Sequence, residues 1–170
     1  MKSLHAIPFL AILLVSPLCA GADGSPTARG VVFHDRNQNG QRDAGEPGLP
    51  NVLVSNQQEV VATDASGAWS LPAPNDCIFF VIKPRGWMPP VSEQKLPRFY
   101  YIHKPQGSPK TQFRGVDPTG PLPSSIDFPL IAQSEPEKFK AHFFGDTQSR
   151  NLKELEYMAR DTIPELLGTE

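Results

Sequence analysis

Residues 35–46 read D-R-N-Q-N-G-Q-R-D-A-G-E, a run in which oxygen-bearing side chains alternate with spacers around a central glycine. Asp35, Asn37 and Asn39 stand at positions 1, 3 and 5 of that run, and Gly40 at position 6, where the backbone must turn sharply. Gln41 at position 7 offers its backbone carbonyl. Asp43 at position 9 offers a carboxylate used directly or through water, and Glu46 at position 12 a bidentate one. A hard cation that takes six to eight oxygens is matched by this set, so the expected ligand is calcium. A polar turn rich in Asn, Asp and Gly is the plainer alternative, but it does not demand agreement at so many spaced positions. Asn37 and Asn39 are neutral amides. The charge around the ion is therefore low, and its expected role is structural, with modest affinity.

A second set of candidate ligands follows residues 139–144, F-K-A-H-F-F, which read as a strand delivering Gly145, Asp146, Thr147 and Gln148 at its end. Taken alone, Asp146 reads better as a carboxylate leading into the positive end of a helix than as a metal ligand. Gln148 is a weaker candidate still, because an amide oxygen is a poorer donor than imidazole for transition metals. Among the histidines beyond the N-terminal segment, His34 abuts the 35–46 run, His103 precedes Lys104 and Pro105, and His142 shares a strand face with Phe144 and Asp146. Spacing gives none of them a Ser, Cys or carboxylate partner, so structural roles are expected. Trp69 is expected in the core. Trp87, in R-G-W-M-P-P at 85–90, is expected on a loop, where a sugar- or partner-binding patch could form.

The elements that must position these groups are short and β-rich. Strands are expected at 28–34, 51–55, 60–63, 68–71, 77–83, 99–103 and 125–130. Between the third and fourth, D-A-S-G at 64–67 is a turn in which Asp64 can cap backbone N–H groups and Gly67 can take positive φ. The chain has 19 prolines, most of them between Pro72 and Pro136, which forbids long helices there. Short strands at this spacing argue for a β-sandwich over residues 27–132. Residues 133–138 (Q-S-E-P-E-K) read as a linker, and 139–170 as the start of a βα unit. Its helix has Asn151 as N-cap with Glu154 three residues on, Leu152, Leu155, Met158 and Ala159 as its buried face, Pro164 as a kink or stop, and Gly168 as a C-cap.

The N-terminal residues, Lys2 followed by an apolar run over 7–18 and small residues at 20–22, have the form of a secretory signal peptide spanning 1–22. The run is too short to cross a membrane, which takes about 20 residues. Residues 16–18, S-P-L, lack the lipobox that would make Cys19 a lipid anchor. Cleavage would leave Cys77 alone, expected as a buried thiol without a disulfide. The formal net charge of −2 offers no basic excess for nucleic acid. The expected location is periplasmic or secreted.

Two resemblances sharpen this reading. G-V-V-F-H-D at 30–35, E-P-G at 46–48, L-P-N-V-L-V-S at 49–55 and T-D-A-S-G-A-W-S at 63–70 follow one another in order. Together they resemble the calcium-binding B-type repeats of bacterial serine–aspartate-repeat adhesins and the wider transthyretin-like or carboxypeptidase-regulatory-like sandwiches. F-Y-Y-I-H-K-P at 99–105, G-S-P at 107–109, D-P-T-G-P-L-P at 117–123 and I-D-F-P-L at 126–130 resemble the N-terminal region of bacterial calcineurin-like metallophosphoesterases. That resemblance implies a sandwich preceding a catalytic domain, a phosphate-ester substrate, and a centre of two divalent transition metals whose first motif would start at Asp146. The family pattern there is usually D-x-H; this chain has Asp146 and Gln148, the form expected in the branch it resembles.

Two-metal hydrolysis needs both ions held to clamp the attacking and leaving oxygens. Segments of the form G-D-x-x-x-D and G-N-H-D/E, which the family uses for this, do not occur after Asp146 in the sequence. One Asp and one Gln cannot hold two ions, so the expectation is a catalytically incomplete front end of such an enzyme. The alternative is a standalone secreted calcium-stabilised binding or adhesion module. In either case the 151–168 helix has too little sheet beside it to bury its apolar face.

Overall fold

The computed structural model describes residues 26–141, 143, 145 and 148–167. The expected signal peptide, His142, Asp146 and Gly168 lie outside them. Among the described residues, eight strands form two four-stranded sheets: β1 (Thr27–His34), β2 (Leu53–Ser55), β3 (Val60–Ala62), β4 (Ala68–Pro72), β5 (Cys77–Ile82), β6 (Trp87–Met88), β7 (Tyr100–His103) and β8 (Phe128–Ala132). One sheet runs β4-β1-β8-β6 and the other β3-β2-β5-β7. The molecule is mainly β, a sandwich, as its alternating patterns require. In β5 the inward positions Cys77, Phe79 and Val81 are buried and the residues between them are not. Trp69 of β4 bridges the layers, with its ring centroid 5.8 Å from Phe128 of its own sheet and 5.7 Å from Phe79 of the other. Truncating either Trp69 or Phe79 to Ala would cost about 3–5 kcal/mol.

The first strand holds the architecture together. Residues 27–31 pair antiparallel with β4, then Val32, Phe33 and His34 pair parallel with Phe128, Pro129 and Leu130 of β8. At that change of partner two consecutive residues, Val32 and Phe33, are fully buried. Beside them Val32 donates its N–H to Gly67 at 2.9 Å and accepts one from Leu49 at 2.8 Å, while Phe33 bridges Gly48. Gly48 and Gly67 therefore meet backbone to backbone. A methyl group on Gly67, whose φ is +80°, would overlap the Val32 carbonyl oxygen. Asp64 Oδ1 accepts from the Ser66 and Ala68 N–H groups at 2.8 and 2.9 Å, holding the turn that presents Gly67.

Several expectations need correction. Trp87 is not on a free loop: it is half-buried in a two-residue strand paired with Ala132, its ring edge-on to His34 at 4.8 Å. No sequence pattern announces so short a strand. The last strand begins at Phe128, because residue 127 spends its side chain on the Val31 N–H at 2.9 Å.

The chain divides into two compact units, Met1–Ser134 and Glu135–Glu170. In the second, no described residue of 139–144 is in a strand, and Phe139 and Phe143 are 78% and 94% exposed. A lone segment has no neighbour to satisfy its ladder, so apolar content alone does not make it a strand. The helical stretch is present but broken into α1 (Leu152–Tyr157), a π-helical turn (Met158–Thr162) and α2 (Ile163–Leu167). Asn151 caps α1 by accepting the Glu154 N–H at 3.1 Å. Its apolar face is not buried, as expected for a helix with too little sheet beside it: Leu152 and Leu155 are exposed, and none of the three segments contains a buried residue.

Candidate functional site

The 35–46 run leaves the end of β1 and returns to the same place. Asp35 donates its backbone N–H to Leu130 of β8 at 2.9 Å, and His34 donates to Pro47 at 2.9 Å. Both ends of the loop are thus pinned to strands while its middle stands in solvent. The two residues nearest the anchors carry the buried carboxylates, Asp35 at 1% exposure and Glu46 at 8%.

Those carboxylates organise the loop through its own amides. Asp35 Oδ2 accepts the Gly40 N–H at 2.8 Å and Oδ1 the Asn39 N–H at 3.2 Å. Glu46 takes the Arg36 N–H on Oε1 at 2.8 Å and the Asp43 N–H on Oε2 at 3.0 Å. Gly40 turns the chain with φ +76°, and Gln38 and Gly45 also lie at positive φ. A third carboxylate draws in the amide side chains: Asn37 Nδ2 and Asn39 Nδ2 each donate to Asp43 Oδ2 at 2.7 Å. Those two donors hold the Asp43 carboxyl below its ordinary value against a smaller opposing effect of burial. The Asp43 N–H does the same for Glu46, more than burial raises it. Both groups are therefore anions at neutral pH.

The fold gathers Asn37, Asn39 and Asp43 at one point of the loop and places Asp35 and Glu46 at its base. Gln41 is exposed and gives its N–H to Asn39 Oδ1 at 2.7 Å. No group of three or more His, Cys, Asp or Glu side chains is assembled to hold a metal among the described residues. The groups gathered in the loop are instead mixed, carboxylates and side-chain amides hydrogen-bonded to one another and to the loop's own N–H groups. Gln148 is exposed and belongs to no strand; Asp146 lies outside the described residues.

The sandwich that carries this loop has a counterpart elsewhere. Residues 36–117 match the family described as the N terminal of calcineurin-like phosphoesterase. The match starts at the second position of the candidate loop and runs through β2 to β7. The sandwich is thus similar to the domain that stands before the phosphoesterase in that family. Among curated proteins, colossin-A of Dictyostelium discoideum is 42% identical over 53 residues, covering 29% of this chain and 0% of colossin-A to the nearest percent. The chain spans a negligible part of that relative's length.

Of the histidines, His34 stacks edge-on with Trp87, and His103 of β7 is buried opposite Cys77 of β5, its Nδ1 without a hydrogen-bond partner among the described residues. Cys77 is a buried free thiol, and burial pushes its pKa up, which favours the protonated form. Sequence reading passed over Arg98 and Asp127, which the fold brings to one cavity with Tyr100. Arg98 sits in no recognisable pattern and Asp127 lies within I-D-F-P-L, which says nothing of Arg98, so only the tertiary fold unites them.

Proposed function

We propose that this chain is the exported N-terminal part of a calcineurin-like metallophosphoesterase, a calcium-stabilised sandwich that accompanies a catalytic domain acting on phosphate esters. The observation that carries the reading is the match of residues 36–117 to that family's N-terminal region. Calcium would sit in the 35–46 loop. Asp35 and Glu46 would anchor it from the base, with Asn37, Asn39, Asp43 and the Gln41 carbonyl closing around it. The ion would supply a multivalent link between loop ends, replacing the amide contacts that Asp35 and Glu46 now make with the loop's own backbone.

Phosphate-ester hydrolysis in this reading belongs to residues that the chain does not supply. Asp146 and Gln148 are the candidate first contacts of a two-metal centre, and two ligands cannot clamp both the attacking and leaving oxygens. Purified protein given Mn2+ and p-nitrophenyl phosphate should therefore show no turnover above the metal blank. Turnover that disappears in Asp146→Ala would overturn this reading.

A second reading is favoured by one observation: the sandwich has its own closed core, from Ala28 to Leu130. On that ground a calcium-stabilised binding or adhesion module, working without catalysis, is the alternative. A protein that binds a ligand with a monomeric, chelator-sensitive fold and never gains hydrolase activity when joined to a phosphoesterase domain would favour it.

A further inference from the structure

A cavity of about 770 Å3 opens in the sandwich among residues 90–101 and 123–129, with Gly40 of the candidate calcium loop also in its wall. That volume lies in the range of small-ligand sites. Tyr100 lines it and is 52% exposed. Its backbone is fixed by pairing with Phe80, and the Phe99 ring supports it edge-on at 5.4 Å. The ring is therefore an exposed aromatic face carried on a paired strand.

Two polar groups flank the platform. Arg98 is anchored through its backbone N–H to Pro90 at 2.7 Å, while its guanidinium has no ion pair or hydrogen bond among the described residues. Asp127 is locked through Oδ1, which accepts from the Val31 N–H at 2.9 Å and from Ser125 Oγ at 2.5 Å. Oδ2 takes part in neither bond. The cavity thus presents one oriented acceptor, one unpaired donor fork, an aromatic face and proline walls from Pro90 and Pro97.

The charges decide the ligand class. An anion would meet Asp127 and a cation would meet Arg98, so each is penalised by the neighbour of its partner. A neutral polyol meets no such penalty. Its hydroxyls can donate to the carboxylate and accept from the guanidinium, while the apolar C–H face of a sugar ring covers the tyrosine. We propose that this cavity binds a neutral oligosaccharide, with Tyr100 as its stacking platform and Arg98 and Asp127 as the hydrogen-bonding pair.

The test is calorimetric titration of the full chain with cellohexaose, xylohexaose, chitohexaose and maltohexaose, alongside trigalacturonate and decaproline. At least one neutral hexaose should bind, and Tyr100→Ala should weaken it about tenfold or more, the loss of roughly 1.4 kcal/mol. Asp127→Asn keeps the Oδ1 contact and should weaken binding without lowering the melting temperature. Three results would overturn the inference: no heat with any neutral hexaose, unchanged affinity in Tyr100→Ala with an unchanged melt, or preference for the acidic sugar or the proline peptide.

Discussion

Gly67 shows how much of this fold rests on single backbone positions. Its positive φ and its closeness to the Val32 carbonyl leave no room for a β-carbon. Gly67→Ala should lower stability by about 1–3 kcal/mol or more in urea unfolding, and an unperturbed midpoint would show that the turn relaxes instead. At the loop, a chelator in excess should lower the melting temperature by roughly 5–10 °C if calcium is held well below its working concentration. Asp35→Ala combined with Glu46→Ala should abolish that response; a chelator without effect on the unaltered chain would refute the calcium assignment. His103 carries a pH dependence. Burial holds its imidazole below the ordinary value of 6.5, with Asp76 pulling less strongly upward. The unfolded chain therefore takes up the proton first as pH falls, so this contribution is complete above about 6.5 and declines below it. Urea midpoints at pH 7.5 and 5.5 should differ, and by less in His103→Gln.

At the scale of elements, the strands were legible where alternation had a buried face to report. C-I-F-F-V-I and A-W-S-L gave strands within a residue or two of their ends because Phe79, Val81, Trp69 and Leu71 fill the core. What could not be read was partnership. Trp87 became a strand because Ala132 passes beside it, and residues 139–144 failed to become one among the described positions because nothing does. In the loop, the sequence named the candidate donors, yet the pinning of Asp35 to Leu130 depends on a strand far along the chain. The broken helix has a local cause that sequence did expose. Pro164 has no N–H for the Arg160 carbonyl and its ring crowds that oxygen, so the turn before it widens and Ile163 donates instead to Met158, five residues back. Pro164→Ala should restore regular α-helical spacing across 158–162, read from backbone NMR contacts; a persistent π turn would assign the widening to another cause.

For the whole molecule, the sandwich and the helical unit differ in kind. One has a core of buried residues drawn from both sheets, and the other exposes Leu152, Leu155 and Leu167 with nothing buried in its helices. Brief proteolysis should therefore cut within 135–167 first and leave a resistant fragment with the melting temperature of the full chain. Resistance of that stretch at protease levels that begin to cleave the sandwich would contradict the division. This asymmetry places the buried core of the described residues entirely before residue 134.

The parallel pairing of Val32 with Phe128 has a temporal consequence. The two residues are separated by nearly the whole sandwich sequence, and contacts of such span form slowly because a long intervening loop must be closed before they repay its entropy. A chain emerging from the ribosome, or threading a translocation channel, can pair the hairpins of β2 with β3 and of β5 with β7 early. It cannot seat β1 against β8 until residue 130 has arrived. Since the Leu130 carbonyl is what fixes the Asp35 backbone, the 35–46 loop gains its anchor on β8 only when the two ends of the sandwich sequence have met.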